Sequence, residues 1–207
     1  MIRNVIFDMG GVLIYYSPAR FLDLLSVSEE DKALLFREVF NTVEWFRMDR
    51  GTITEEEAAS AMKGNLPARL HGEVDRLIEW WKLELRPMEG MEELLKELKE
   101  LGYGLYLLSN ASLRQPEYFD RIPGSQYLNG RFVSAFYQLL KPQHEIFEAF
   151  LEKFALKAEE CFFVDDSLAN VESAYCLGIA GEVFDGDVPR LRRALNDAGV
   201  PVRVGQN

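Results

Sequence analysis

Val5-Ile6-Phe7-Asp8-Met9-Gly10-Gly11-Val12, near the start of the chain, has the pattern of a buried strand that ends at an acid. Three apolar residues of types that favour strands precede Asp8, and a pair of glycines follows almost at once. Glycine at such a position allows the chain to turn sharply. A strand of this kind presents its carboxylate at the edge of a sheet, so Asp8 is a candidate nucleophile.

Outward from this stretch, predicted strands and helices alternate along the chain. Further strands are predicted at residues 104–108, 132–138, 161–164 and 180–184. Apolar residues at helical spacing predict the intervening helices, one of them bracketed by Pro87 in its first turn and Gly102 beyond its end. Because strands that alternate with helices form parallel sheets with right-handed crossovers, we expect an α/β fold.

The segment between the first strand and this helix has only helical patterns. Thr54 is followed by three glutamates, which predicts a helix start, because threonine caps helices and acids are favoured in the first turn. No convincing strand pattern is found there. We therefore expect a helical unit at residues 16–86, inserted into a core formed by residues 1–15 and 87–207.

Composition narrows the classes of partner. The 207 residues carry a net charge of −11, which argues against nucleic acid and anionic membranes as main partners. No apolar run approaches the length of a membrane span, and Asp8 ends the first run too early for a signal peptide. A cytoplasmic protein with two buried, reduced cysteines is expected. The oligomeric state stays open.

Three predicted strands end in polar residues, namely Asp8, Ser109-Asn110 and Asp165-Asp166. Because ligands bind at the carboxyl ends of parallel strands, these side chains are expected to share one rim. Asp8 and Asp166 close together would repel each other unless a cation lay between them, and hard carboxylate oxygens suit Mg²⁺. The pattern therefore predicts a magnesium site at which Asp8 meets a phosphoryl group.

Other residues can bind such a phosphoryl group. Lys141 supplies a positive charge, and Ser109 and Asn110 can form hydrogen bonds with its oxygens. Backbone amides from Met9 to Gly11 can approach the ligand closely, because glycine has no side chain. Substrate-binding roles are therefore expected for Asn110, Lys141 and Gly11.

Taken in order, four segments resemble the motifs of the haloacid dehalogenase-like hydrolases. They are Phe7-Asp8-Met9-Gly10-Gly11-Val12, Leu107-Leu108-Ser109-Asn110, Lys141-Pro142 and Phe163-Val164-Asp165-Asp166-Ser167, with Asn170 four residues after Asp166. The resemblance covers essentially the whole chain, and it implies a Rossmann-like parallel core with a helical cap inserted after the first motif. Within the superfamily, the chain is most similar to small bacterial sugar-phosphate phosphatases, particularly those acting on glucose 1-phosphate.

The resemblance also implies a mechanism. Asp8 attacks phosphorus and forms an aspartyl-phosphate. Mg²⁺ is held by Asp8, Asp166 and the backbone carbonyl of Gly10, with Asp165 as a further ligand or a partner behind the ligands. The transferring phosphoryl group is held by the three residues already considered for it, Ser109, Asn110 and Lys141, while Asn170 orients the loop of the fourth motif.

Gly10 departs from the usual pattern, because phosphatases of this superfamily usually carry a second aspartate there as general acid and base. Loss of such a group costs about 10² to 10⁴ in rate. A sugar 1-phosphate is favoured as substrate, since its anomeric oxygen leaves easily and the glucose 1-phosphate phosphatases that the chain resembles also have glycine here. A dehalogenase, in which the pair Asp165-Asp166 would be unexplained, and a catalytically impaired binding protein are the alternatives.

The cap, and Tyr15 just before it, contain weaker candidates. Aromatic and arginine side chains that could stack on a sugar or bind an anion are Tyr15, Tyr16, Trp45, Phe46, Arg47 and Arg50. Core packing and solvated charge are more common explanations for such residues. Gly51 predicts a turn between helices, and Trp80 and Trp81 are expected to pack inside the cap.

Overall fold

A computed structural model describes residues 1–204 of the chain. It contains seven strands, β1 Asn4–Phe7, β2 Ile14–Tyr15, β3 Arg86–Pro87, β4 Gly104–Ser109, β5 Gly130–Val133, β6 Cys161–Asp165 and β7 Ala180–Val183. Five of them form a parallel sheet in the order β5-β4-β1-β6-β7. The predicted α/β, Rossmann-like fold with a parallel sheet is therefore confirmed.

Helices surround this sheet. Those of α type are α1 Pro18–Asp23, α2 Glu29–Leu35, α3 Val43–Arg50, α4 Glu55–Gly64, α5 His71–Ile78, α6 Trp80–Leu83, α7 Met91–Glu100, α8 Pro116–Phe119, α9 His144–Phe154, α10 Leu168–Cys176 and α11 Val188–Asp197. A π-helix spans Phe36–Phe40, and 3₁₀ turns span Ala68–Leu70, Ser125–Tyr127, Ser134–Phe136 and Ala158–Glu160. Over residues 1–204, none of these helices is both long and apolar enough to cross a bilayer.

The central position of β1 explains its apolar sequence. It pairs with β4 on one side and β6 on the other, and Val5, Ile6 and Phe7 are fully buried. Strands covered by helices on both faces of a parallel sheet are apolar along their whole length. Because the three strands run in the same direction, their carboxyl ends bring Asp8, Ser109 and Asp165 to one rim.

Helices α1 to α6 lie between β2 and β3, which pair with each other as a short antiparallel ribbon. The helical character of this segment is as predicted, but the ribbon at its ends was not. Pro87 lies in β3 opposite Ile14, and α7 begins only at Met91, so its expected place in the first turn of that helix is wrong. The division into core and cap at residues 15/16 and 86/87 remains a prediction.

Two further expectations differ from the structure. The strand predicted to reach residue 138 ends at Val133, because Ser134 turns the chain into a 3₁₀ segment and its hydroxyl accepts a hydrogen bond from the Ala111 N–H at 2.9 Å. Of the two cysteines, Cys161 is buried in β6 as expected, whereas Cys176 is exposed at the end of α10.

The end of α3 packs against the loop that follows β5. Gly51 caps the helix with φ +74°, and a Cβ atom built there would lie 2.1 Å from the carbonyl oxygen of Ala135. Next to this contact, the Ser134 hydroxyl donates a hydrogen bond to the carbonyl oxygen of Asp49 at 2.5 Å. These two contacts fix one helix of the insert on the core, and only glycine fits at position 51.

We predict that Gly51→Ala lowers the free energy of unfolding by more than about 1 kcal/mol, since a left-handed backbone and a steric clash act together. Chemical denaturation measures this change. The control is Gly72→Ala, because Gly72 lies in α5 without a positive φ, and a Cβ atom added there would have no neighbour within 4 Å. That variant is expected to be as stable as the parent or more stable. Equal effects of the two substitutions would contradict the steric explanation.

Candidate active site

A buried ion cluster lies at the rim of the sheet. The Lys141 Nζ atom is 2.8 Å from Asp8 Oδ1 and 2.6 Å from Asp165 Oδ2. It also donates a hydrogen bond to the carbonyl oxygen of Leu108 at 3.0 Å. Lys141 is 4% exposed, Asp165 is fully buried, and Asp8 is 9% exposed. The structure thus brings together three of the predicted site residues, with the lysine between the two carboxylates.

The charges in this cluster depend on one another. Burial raises the pKa of the Asp8 carboxyl group, and the nearby Lys141 ammonium offsets only part of this effect. Burial alone would lower the pKa of Lys141, but Asp165 and Asp8 together outweigh it, so the lysine pKa lies above its usual value. Lys141 is therefore a permanent cation beside Asp8, where a phosphoryl group would add negative charge.

Both carboxylate oxygens of Asp165 accept hydrogen bonds from the protein. Its Oδ2 accepts from Lys141, while its Oδ1 accepts from the Ser167 N–H at 2.8 Å and from Asn170 Nδ2 at 2.9 Å. The side chain therefore joins the fourth-motif loop to Lys141. Two roles were predicted for Asp165, a metal ligand or a residue that supports the ligands. These hydrogen bonds favour the supporting role.

Asp166 extends toward solvent beside this cluster. Single carboxylate oxygens of Asp8, Asp165 and Asp166 lie within 4.8 Å of one another, a spacing that one small cation can bridge. Oxygen donors of this kind fit Mg²⁺, which usually takes one or two carboxylates and keeps several waters. Asp166 is the exposed member of the group, so its oxygens remain accessible to an ion.

Gly11 leaves room for the side chain of Asp166. Its N–H donates to the carbonyl oxygen of Ile14 at 2.8 Å, so it is not free to bind a phosphoryl oxygen, and the predicted role of this amide is corrected. A Cβ atom at Gly11 would lie 2.1 Å from Asp166 Oδ2, and φ is +77°. Glycine is needed here because the Asp166 carboxylate lies directly over the backbone.

Ser109 and Asn110, at the carboxyl end of β4, differ in the contacts that their side chains make. The Asn110 side chain makes two hydrogen bonds with the backbone of Lys141, accepting from its N–H at 2.9 Å and donating to its carbonyl oxygen at 3.0 Å. Ser109 is buried, and its hydroxyl makes a long contact of 3.5 Å with the Asn110 carbonyl oxygen. Asn110 therefore positions Lys141, while phosphoryl binding by Ser109 and Asn110 stays a prediction.

A cavity of about 240 Å³ opens above Asp8. It is lined by Asp8, Met9, Gly10, Tyr16, Trp45, Met48, Asp49, Ile78, Trp80, Trp81, Asn110, Ala111, Ser112, Tyr118 and Asp166. Aromatic rings form much of its wall, with Trp81 and Tyr118 stacked at 4.9 Å and Tyr16 edge-on to Trp80 at 5.1 Å between ring centroids. The cavity is therefore mainly aromatic and apolar on the side of the insert, where Asp49 is an acid, and acidic at the sheet rim.

Several cavity residues were predicted differently or not at all. Trp80 and Trp81, expected only to pack, also line the cavity. Trp45 lines it, whereas its neighbour Phe46 is 60% exposed on the outer face of α3. The lining also includes Met48, Asp49, Ser112 and Tyr118, which belong to no motif. For Asp49, the available signal was its position one helical turn after Trp45.

Asp49 is the acid of the insert that reaches this cavity. Burial raises the pKa of its carboxyl group to about 7, and the negative charges of Glu55 and Asp8 act in the same direction. The Trp45 side chain, which faces the carboxylate as a hydrogen-bond donor, lowers the pKa in part. A carboxyl group that titrates near neutral pH therefore lies in the same cavity as Asp8.

Comparisons with known proteins identify the family to which this parallel α/β sheet, with a lysine between two rim aspartates, belongs. Residues 2–178 match the family model described as a haloacid dehalogenase-like hydrolase. The sesquiterpene phosphatase astK of Aspergillus oryzae is 31% identical over 183 residues, which cover 86% of this chain and 88% of that protein. The chain belongs to the haloacid dehalogenase-like hydrolases, and its enzyme class is that of the phosphoric monoester hydrolases.

Two further relatives extend the comparison. Flavin mononucleotide hydrolase 1 of Arabidopsis thaliana is 26% identical over 160 residues, which cover 77% of this chain and 64% of that protein. The magnesium complex of HAD family enzyme bt-2542 from Bacteroides thetaiotaomicron is 25% identical, with a TM-score of 0.72. The match covers 93% of this chain and 98% of that one.

We predict that Lys141→Met lowers the free energy of unfolding by about 3–5 kcal/mol at neutral pH without metal, because two buried carboxylates lose their cation. Denaturant titration in the presence of EDTA measures the change. Lys157→Met removes an exposed lysine and is expected to change the free energy by about 0.5 kcal/mol or less. A small effect at Lys141 would mean that the cluster is not held by this ion pair.

The raised pKa of the Asp49 carboxyl group makes the stability of the protein depend on pH. Because the pKa of Asp49 is raised from 3.8 to about 7, the native state binds more protons than the unfolded state between these values, and stability falls as pH rises through this window. Asp49→Asn removes this contribution. The stability of the variant relative to the parent should therefore increase by about 4 kcal/mol as pH rises from about 4 to about 8. Metal-free denaturation at several pH values tests this, and a difference that does not vary with pH would contradict the raised pKa.

Proposed function

We propose that this enzyme is a Mg²⁺-dependent phosphatase that forms an aspartyl-phosphate on Asp8. The observation that carries the proposal is the position of Asp8 at the base of the cavity, with Lys141 at 2.8 Å and the Asp166 carboxylate beside it. A carboxylate can attack a phosphate ester only where the negative charges of both are offset. Lys141 offsets part of this negative charge directly. The rim carboxylates can bind a metal cation that offsets the rest.

Asp8, Asp166 and the carbonyl oxygen of Gly10 would hold the metal ion, with Asp165 behind them. When bound, Mg²⁺ offsets the negative charge of the nucleophile and of the phosphoryl oxygens. Lys141 stabilises the same oxygens from the buried side, and Asn110 holds the backbone of Lys141 in place. Asp8 then attacks phosphorus as the bond to the ester oxygen breaks.

For the substrate, we favour a small phosphate ester whose organic group is apolar or aromatic. Apart from Asp49, the cavity lining from the insert consists of tryptophan, tyrosine, methionine and isoleucine side chains, most of whose surface matches an apolar group. The relative from Aspergillus oryzae is named a sesquiterpene phosphatase, and sesquiterpene groups are apolar. A sugar 1-phosphate is the second candidate, favoured by the glycine at position 10.

The two other interpretations of the sequence are less well supported. Halide displacement would leave the accessible Asp166 carboxylate without a function, because it requires no metal. A protein that only binds its ligand would have no need for a nucleophile paired with a buried cation. Both interpretations predict that phosphate is not released in a Mg²⁺-dependent way.

We predict Mg²⁺-dependent phosphate release from n-octyl phosphate and p-nitrophenyl phosphate at a higher kcat/KM than from glucose 1-phosphate or glucose 6-phosphate. The aromatic and apolar part of the wall stabilises the first two esters, whereas it offers sugar hydroxyl groups few hydrogen-bond partners. EDTA should abolish release. Asp8→Asn should lower kcat by at least about 10³-fold, since the nucleophile is lost.

The matched control is Asp197→Asn, because Asp197 is an exposed aspartate at the end of α11. It should leave kcat unchanged. Halide release from 2-chloropropionate in a parallel assay would indicate a dehalogenase. Preference for glucose 1-phosphate would exclude the apolar ester, and activity that survives in Asp8→Asn would exclude Asp8 as the nucleophile.

A further inference from the structure

We propose that Asp49, in the helical insert, is the general acid and base of this enzyme and replaces the aspartate that related phosphatases carry at the position of Gly10. The inference rests on the proposed phosphatase activity. It adds a catalytic residue from a part of the chain that contains none of the four motifs.

The surroundings of Gly10 show why the acid comes from another segment. A Cβ atom at Gly10 would lie 3.2 Å from the Cβ and 3.4 Å from the Cγ of Tyr16. Tyr16 is itself held by edge-on contacts with Phe21 and Trp80, with ring centroids 5.4 and 5.1 Å apart. The Tyr16 ring therefore occupies the space into which an aspartate at position 10 would extend.

Among the described residues that line the cavity, five can titrate: Asp8, Asp49, Asp166, Tyr16 and Tyr118. The proposed mechanism already uses Asp8 as nucleophile and Asp166 as metal ligand. Burial raises the pKa of both tyrosines, so each keeps its proton and cannot act as a base. Asp49 is the remaining carboxyl group that faces the same space as Asp8.

The position of Asp49 is fixed by the core. Its carbonyl oxygen accepts the hydrogen bond from the buried Ser134 hydroxyl at 2.5 Å, and the same hydroxyl accepts from the Ala111 N–H at 2.9 Å. Ala111 directly follows Asn110 of the second motif, and Gly51 lies against the Ala135 carbonyl group. A catalytic group must be held in a defined geometry, and these contacts hold this one.

The charged and polar groups around Asp49 suit proton transfer. Glu55 of α4 and Asp8 after β1 are the acids that act on it, the Trp45 side chain is a donor on its own helix, and the tyrosine hydroxyl groups face it across the cavity. Burial and these acids together bring its pKa to about 7. A group with such a pKa can both donate and accept a proton at neutral pH.

Asp49 transfers one proton in each of the two steps of the reaction. In the first, an Asp8 oxygen attacks phosphorus, the bond from phosphorus to the ester oxygen breaks, and Asp49 gives its proton to the departing alkoxide. In the second, the Asp49 carboxylate takes a proton from water while the water oxygen attacks phosphorus. The bond between phosphorus and Asp8 breaks, phosphate leaves, and Asp49 is protonated again.

The experiment compares leaving groups that differ in their need for a proton. For Asp49→Asn with Mg²⁺, kcat/KM for n-octyl phosphate should fall about 10²–10⁴-fold, because an alkoxide leaves poorly without an acid. For p-nitrophenyl phosphate, kcat/KM should change by about threefold or less, because nitrophenolate needs no proton to leave. A stoichiometric burst of nitrophenol followed by slow turnover is also expected, since the phosphorylated Asp8 lacks the base that activates water.

The burst also shows that the variant is folded and that Asp8 still reacts. Glu44→Gln, which neutralises an acid in the first turn of α3 outside the cavity, is the matched control and should leave both esters unaffected. Asp49→Glu should retain part of the octyl phosphate activity. An equal fall for both esters, or no fall for n-octyl phosphate, would overturn the assignment. Absence of phosphate release by the parent enzyme would remove the proposed function itself, before any variant is compared.

Discussion

The structure of the site depends on the burial of one ammonium group between two carboxylates. Lys141 lies within 2.8 Å of Asp8 and 2.6 Å of Asp165, at the ends of two neighbouring strands. Two like charges so close together in an apolar sheet would otherwise be strongly destabilising. The same cluster fixes the loops around it, because Asn110 holds the backbone of Lys141 and Asp165 holds the fourth-motif loop. One electrostatic constraint thus joins three segments that are far apart in the chain.

The core and the insert contribute different chemistry to the cavity. The sheet rim provides charged and polar groups on short, rigid connections, so their positions follow directly from the strand order. The insert provides aromatic surface and one acid, and its position relative to the core depends on close contacts at Ser134 and Gly51. In the proposed mechanism, the rim carries out phosphoryl transfer, while the insert selects the ester and supplies the proton.

The parallel sheet and the residues at its rim could be predicted because each depends on a local pattern. An apolar run that ends in an acid identifies β1 and Asp8 without any knowledge of what lies beside them. Local patterns failed where a distant residue decides the outcome. Ser134 ends a strand because its side chain binds other segments, and the Gly11 amide is occupied by the turn to Ile14.

The sequence by itself determined the fold class, the family and the ionic residues of the rim, because motif spacing and hydrophobic periodicity are properties of neighbouring residues. Only the tertiary structure decided that the cavity wall is apolar and that Asp49 enters it. Asp49 and Ser134 are 85 positions apart, and the hydrogen bond between them follows from how the insert packs on the sheet. Packing of this kind depends on the shapes of two complementary surfaces, which no local pattern contains.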